Sequence, residues 1–504
     1  MIKEIDMSWY EEAQGTKYYI SNVKQLFTLA LIVNGTPNLP QDSFQEKTII
    51  LSSDIDMSDV KDCWVPIGTQ QHPFKGVFKG SSATNKRKIT NFNMSVTDRP
   101  CIALFGVTSE DARLLNFRLD CQIKGTRLVA GVVAMNGGDI HSVIVSGKIE
   151  GKGQVGGLAA TSTGVIVRCN NQANITGEQY VGGIVGYNQN DIGEITDCFN
   201  SGTICGRSNI AGIAGFNNGT IRGSINSGII TVPTDVPDNT IECIAGIVGT
   251  NSAGCSIENC INKGAVCLSL KERRESGEYY TYLRGAKVGG ITGSHLGTLV
   301  NCANEAEIEG ATMVGGISGE LHNGRIKLCL NIANVTGKQT VGGVAGIILA
   351  GCVGSCFNNG AVLAYFGYVG GICGNEKWGE ITTSVNNGQV STKDESCCAG
   401  IVGCVVYGAL SGNSNIGVVK GIERVGGICG SCSKKTSVEK CTNTGDVYGN
   451  KVVGGLMGFL DGDVSRCKST GNVSGIEEYA TVVGVKSGGT IQDCYSVGKV
   501  QDAR

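Results

Sequence analysis

The chain has 504 residues, with 42 Lys plus Arg against 44 Asp plus Glu for a formal charge of −2, and 77 Gly against 7 Pro. That balance carries no basic footprint for nucleic acid or an anionic membrane surface, and the scarcity of proline excludes collagen and proline-rich disorder. Apolar residues at 41% are ample for a core, and no stretch approaches the ~18 consecutive apolar residues that span a bilayer.

Residues 1–20 read as a loose, polar leader without the apolar core of a signal peptide. Residues 21–100 read as an N-terminal cap and opening coil. Ser21 offers an N-cap, then Val23, Leu26, Phe27, Ala30, Leu31 and Val33 recur at helical spacing, and Asn34-Gly35 ends the helix. Its expected role is to lid the first coil, whose open end would otherwise expose strand edges and core. A strand follows at Thr48 to Leu51, and Trp64, Phe74, Phe78, Ile89 and Phe92 mark an aromatic-rich opening coil.

From about residue 101 to 500 one unit is written again and again. Its clearest copy runs from Val181 to Gly206: a glycine-laced apolar run, an alternating run Glu194-Ile195-Thr196-Asp197-Cys198, a turn at Asn200-Ser201-Gly202, and a third run Thr203-Ile204-Cys205. The second glycine recurs at Gly157, Gly183, Gly212, Gly246, Gly290, Gly316, Gly343, Gly371, Gly400, Gly427 and Gly455, in steps of 26 to 29 residues where nothing is inserted. A fixed period of this length with β-forming content marks a solenoid. The pattern predicts an all-β, right-handed parallel β-solenoid (β-helix) of about thirteen coils, about 60 Å long at ~4.8 Å per coil.

Two files run through the repeat. Cys169, Cys198, Cys260, Cys302, Cys329, Cys356, Cys441 and Cys467 share one slot, with Asn171, Asn200, Asn262, Asn304, Asn331, Asn358 and Asn443 two residues on. The expectation is thiols facing the axis and amides bonding from coil to coil at a corner. Stacked cysteines would hold their Cβ atoms ~4.8 Å apart, whereas a disulfide wants ~3.8 Å and converging vectors, so the 23 cysteines are expected as free thiols.

Two steps break the period, at the same corner. Insertions at 229–240 and 266–287 read as lateral projections, the larger as a hairpin with Val266 to Leu270 outward and Tyr279 to Leu283 back. That hairpin gathers Lys271 with Arg273, Arg274, Tyr279, Tyr280, Tyr282 and Arg284, and Tyr and Arg are the usual anchors of interfaces. These are the candidate binding residues. The chain stops at Arg504 with no capping element in view, which raises the expectation of a further domain beyond it.

Gly-aliphatic-x-Gly, as in Gly183-Ile184-Val185-Gly186, Gly290-Ile291-Thr292-Gly293 and Gly455-Leu456-Met457-Gly458, with the flanking Asn-Cys-x-Asn-x-Gly text, resembles the GLUG-motif family. The likeness covers roughly residues 18 to 500 and departs at Gly157 to Ala160 and at Thr481 to Gly484. The resemblance implies a β-solenoid of bacterial surface or secreted proteins, including adhesin-like chains and the repeat regions of immunoglobulin A-cleaving metallopeptidases. It passes on no active site.

Chemistry-bearing groups were weighed against packing. None of His72, His141, His295 and His322 begins His-Glu-x-x-His. Cys429-x-x-Cys432 has zinc spacing, but no second pair accompanies it and Cys429 fills a repeat slot that holds Cys373 two coils earlier. Asp54, Asp56 and Asp59 lack the glycine and distal glutamate of a calcium loop and read as turn residues. Acidic residues are scattered rather than filed at one strand position, as a lyase or hydrolase site would need. The sequence therefore assigns no catalytic residue, metal or cofactor. It points to a cell-surface or secreted interaction protein that binds a glycan or a host or bacterial surface protein through the hairpin, without nucleic acid and without membrane insertion. The alternatives are a carbohydrate-active β-helix enzyme and an inert stalk.

Overall fold

The computed structural model of the chain describes residues 5–13, 15–60, 63–82, 84, 86–189, 192–233, 241–268 and 285–502. Two units divide it, residues 1–233 with 247–249 and residues 234–246 with 250–504. Both are stacks of parallel strands, and the chain is an all-β parallel solenoid of about sixteen turns.

One coil of the first unit shows how the repeat becomes structure. Its strands are Gln179–Gly182, Val185–Asn188, Glu194–Thr196, Phe199–Asn200 and Ile204–Cys205. They lie in three sheets: the first holds the glycine strand, the second and third hold two strands each, bent in the middle. Every pairing is parallel and in register, Val155↔Val181↔Ile210, Ile166↔Ile195↔Ile221, Asn171↔Asn200↔Asn226 and Ile175↔Ile204↔Ile230. Aliphatic side chains repeat on the inner face, and Val181, Val185, Ile195 and Ile204 are fully buried. Each such side chain contributes roughly 1.5–3 kcal/mol of burial before chain entropy is subtracted.

The glycines are where backbone passes backbone. A Cβ at Gly183 would stand 2.1 Å from the Gly212 carbonyl oxygen and 2.5 Å from Asn200 Oδ1. One at Gly186 would stand 2.7 Å from the Tyr180 carbonyl, because the first and second sheets cross there. The residue before each cysteine turns the next corner in the left-handed region, as at Arg168 (φ 50°), Asp197 (φ 52°), Asn301 (φ 53°) and Lys440 (φ 54°).

Both files are present and buried. In the first unit Asn171 Nδ2 donates to Asn200 Oδ1 and Asn200 Nδ2 to Asn226 Oδ1, each at 2.8 Å. In the second unit the ladder runs Asn262, Asn304, Asn331, Asn358, Asn386, Asn415, Asn443 at 2.7–2.8 Å per rung. Each amide also donates to the carbonyl two residues on, as Asn200 does to Gly202 at 3.0 Å. The Cys198 thiol donates to the Thr196 carbonyl at 3.4 Å, and all 23 cysteines are free.

Several expectations for the N-terminal stretch are corrected. The described part of the expected leader is not loose: Ser8–Glu11 is helical, and Lys17–Ile20 is a strand paired in parallel with Thr48–Leu51. The alternation that puts Tyr18 and Ile20 inside carries that strand into the stack without any glycine motif. The long helix spans Val23–Val33 as expected, but its N-cap is Asn22, whose side chain accepts from the Gln25 N–H, while the Ser21 N–H donates to Gln25 Oε1. The stack gains its extra turns over the predicted thirteen from this stretch, where Thr48–Leu51, Val77–Lys79 and Arg113–Leu115 already stack in register. Aromatic rings do here what Cys and Asn do later. Trp64 packs on Phe27 and Phe92, and Phe78 packs on Phe105 and Phe117, at 5.2–6.2 Å between centroids.

Gly183→Val should lower the unfolding free energy by more than about 4 kcal/mol, because neither the carbonyl nor the amide it meets can yield. Lys263→Glu, which breaks an exposed 3.4 Å ion pair with Glu305, should cost no more than about 1 kcal/mol. Chemical denaturation of the two variants beside the parent checks the order.

Candidate binding surfaces

The predicted hairpin patch cannot be placed: Lys271, Arg273, Arg274, Tyr279, Tyr280, Tyr282 and Arg284 lie outside the described residues, as do 234–240 of the smaller insertion. One part of that reading is corrected. Val266–Cys267 is not the outgoing arm of a hairpin but a third-sheet strand paired with Ile308–Glu309. Val266 is apolar for the same reason as Ile204 and Ile230, burial in the coil.

In the first unit the opening coil builds a groove. Asn34, capping the long helix, donates through Nδ2 to the Pro66 carbonyl at 3.0 Å and accepts from the Gly68 N–H at 2.8 Å. Gly68, at φ 87°, lies so near Val107 that a Cβ would come 2.3 Å from its carbonyl oxygen. The loop so pinned turns back at Thr69, whose N–H donates to the His72 carbonyl, and leaves Gln70 and Gln71 on a rim. Opposite stand Arg99, held by a 3.0 Å bond from Nη1 to the Trp64 carbonyl, and Arg127. Between these walls is a recess of about 600 Å³ floored by Pro66, Val107, Leu128 and Met135. Arg127 makes no ion pair among the described residues. A preformed recess with an apolar floor and a few polar groups on its rim is the usual form of a small-ligand site.

In the second unit one corner carries exposed aromatics. Trp378 and Tyr407 are 62% and 46% exposed, with rings 5.8 Å apart and 4° from parallel. Lys435 Nζ lies 5.8 Å from the centre of the Tyr407 ring. A separate stack on the first unit, Tyr187 on Phe216 at 4.7 Å with Tyr180 edge-on, is packed into the angle where first and second sheets meet.

Beneath the Trp378 corner runs a second inward file that sequence reading missed. It stands five residues after the second glycine of each repeat and holds Asn136, Ser162, Asn188 and Asn217 in the first unit, where Asn188 donates to Asn217 at 2.8 Å. In the second unit the slot holds His295, then Glu376. Burial holds His295 down to about 4, a neutral ring whose Nε2 bonds the Arg325 carbonyl at 3.3 Å. Burial pushes the Glu376 carboxyl up to about 7; one oxygen accepts from the Gly379 N–H and the other has no partner. Both groups are sealed from solvent.

The sequence's metal candidates have ordinary packing and turn partners. Cys432 Sγ packs 3.8 Å from Met457 Sδ, and Cys429 donates to the Ser431 carbonyl. Asp56 accepts from the Ser58 N–H and from Asn91 Nδ2, as a turn residue does. Among the described residues no group of three or more His, Cys, Asp and Glu side chains is placed to hold a metal ion, and no helix is long and apolar enough to cross a membrane.

The GLUG motif family matches residues 177–204, the single coil described above, consistent with a GLUG-repeat protein. No curated protein sequence matches the chain. Among solved structures, a candidate immunoglobulin A1 protease from Bacteroides ovatus is similar at 20% identity over 55% of this chain and 83% of its own, with a TM-score of 0.41.

His295 and Glu376 give opposite pH dependences. A histidine depressed from its usual 6.5 destabilises the fold as pH falls from about 6.5 to about 4, when the unfolded chain takes the proton and the folded one resists it. A carboxyl raised from 4.5 destabilises it as pH rises from about 4.5 to about 7. The two slopes oppose one another between about 4.5 and 6.5. Glu376→Gln should therefore leave stability at pH 4 unchanged, raise it at pH 8 by about 3 kcal/mol, and uncover the histidine slope; denaturant melts across that range measure it.

Proposed function

We propose that this chain is a cell-surface or secreted interaction protein, adhesin-like, whose coil stack is a rigid frame for capturing a glycan or a protein. The single observation that carries the reading is the groove of the first unit. One wall is fixed before any ligand arrives by the Asn34 side chain's bonds to the Pro66–Gly68 backbone, and the rim offers Arg99, Arg127, Gln70 and Gln71 over an apolar floor. A guanidinium on a fixed wall suits carboxylates and amide or hydroxyl oxygens, and a site formed in advance loses little conformational freedom on binding. The tyrosine- and arginine-rich segment 273–284 remains a second proposed contact, on composition alone.

The test is capture of the full chain on arrays of glycans and of surface proteins, with reducing-sugar release followed on every glycan that binds. Arg99→Ala with Arg127→Ala should weaken capture at least tenfold with melting temperature unchanged. Arg273→Ala with Tyr280→Ala and Tyr282→Ala should weaken it if segment 273–284 contributes. Blank arrays would remove the binding reading, and steady sugar release would replace it with a carbohydrate-active enzyme.

A further inference from the structure

We propose that the corner column of Trp378, Tyr407 and Lys435 is a binding site for an acidic polysaccharide. The inference rests on the binding reading above and names a ligand class and a second surface for it.

The repeat itself supplies the first argument. The slot seven residues after the second glycine is small nearly everywhere, with Gly138, Gly164, Gly219, Gly297, Ala350 and Gly462 among its occupants. Two consecutive coils fill it with Trp378 and Tyr407, and the third with Lys434 followed by Lys435. The coil does not ask for these side chains, because neighbours manage the same bend with none. An indole that is 62% exposed adds little to the core, and a large exposed apolar surface on an otherwise polar rim marks an interaction site.

Geometry supplies the second. The flanking ladders keep the three coils in register, Glu376↔Val405↔Cys432 on one side and Glu380↔Ala409↔Ser437 on the other. The bend is held by backbone bonds from Lys377 N–H to Ile348 carbonyl, Val406 N–H to Glu376 carbonyl and Ser433 N–H to Val405 carbonyl, at 2.9, 2.9 and 3.1 Å. The Glu376 side chain ties the same bend from beneath through the Gly379 N–H. The rings are therefore presented on rigid backbone, about one coil spacing apart. The coil before Trp378 offers Leu349, Ala350 and Gly351 at this bend, so one face of the indole is not covered by a ring.

Charge selects the ligand. Lys377, Lys434 and Lys435 cluster at the bend, and none has an ion pair among the described residues. Their positive field sits on a chain of net charge −2, so it is local. A pyranose presents a flat patch of C–H bonds to an aromatic face and its substituents to the periphery. A uronic acid polymer would stack one pyranose on the uncovered face of Trp378, run past the Tyr407 edge and place carboxylates at the lysines. Nucleic acid fits less well, because three lysines give no long phosphate track.

The experiment is affinity electrophoresis of the full chain through gels containing polygalacturonate, dextran or a single-stranded oligothymidylate. The parent should be retarded by polygalacturonate and not by dextran, with retardation falling as salt rises. Trp378→Ala with Tyr407→Ala should weaken it at least tenfold, as should Lys434→Gln with Lys435→Gln, with thermal melts unchanged. Lys263→Gln, in an exposed ion pair outside the column and the groove, should leave it intact. Retardation undiminished in both column variants, equal retardation by dextran, or stronger retention by the oligonucleotide would overturn the proposal. A parent that polygalacturonate does not retard, alongside a positive array signal, overturns the column alone; a parent that neither assay captures overturns the binding reading too.

Discussion

Register between coils is the constraint on which everything else depends, and two small-scale contacts impose it. Glycine lets each coil approach the next, and the Asn200 amide, so closely that even a methyl group has no place at Gly183. The buried asparagine ladder then ties each coil to the next, since every amide has one bond along its own coil and another to its neighbour. A slip by one residue would strand these amides inside the core, where an unpaired polar group costs roughly 1–3 kcal/mol. Aliphatic burial supplies most of the stabilisation and by alternation resists a one-residue slip, but a two-residue slip would keep apolar side chains inside; the amides and glycines forbid that as well.

A frame specified from within leaves its outer slots free. Leu330, Phe357, Val385 and Ser414 follow one another at a single third-sheet position without disturbing the pairing beneath. The groove and the aromatic corner use that freedom in different ways. At the groove the opening coil departs from the repeat and folds a loop back over the stack. At the corner the backbone keeps its repeat and only the side chains change. Even the inward slots bend a little, and His295 and Glu376 show the cost: burial keeps the His295 ring neutral and pushes the Glu376 carboxyl up to about 7, because the site solvates a charge poorly.

What repeats was legible, and what departs from repetition was not. The Cys and Asn files and the glycine strand could be read because eleven glycines mark the same phase in the sequence. The second inward file, through Asn188 and Asn217, escaped notice although it keeps that phase, since its occupants change to His, aliphatic and Glu along the chain. Trp378 and Tyr407 carry a signal of the same kind, an identical offset from Gly371 and Gly400, hidden because large residues there interrupt a run of small ones. The cap of the long helix was misplaced by one residue because Ser21 and Asn22 are both good caps, and only the Gln25 bonds distinguish them. Val266 was taken for a projecting arm because an inserted segment follows it directly; its pairing with Ile308 restores it to the coil.

A stack of coils in register puts its file of sulfurs on the axis. Sixteen of the 23 cysteines are buried, six are half-buried and Cys63 alone is exposed. Alkylation of the native chain with iodoacetamide, read residue by residue by mass spectrometry against the unfolded chain, tests this directly. Cys63 should label first and the file from Cys169 to Cys467 only on unfolding. Rapid native labelling of that file would mean that the coils do not stack with their thiols on the axis.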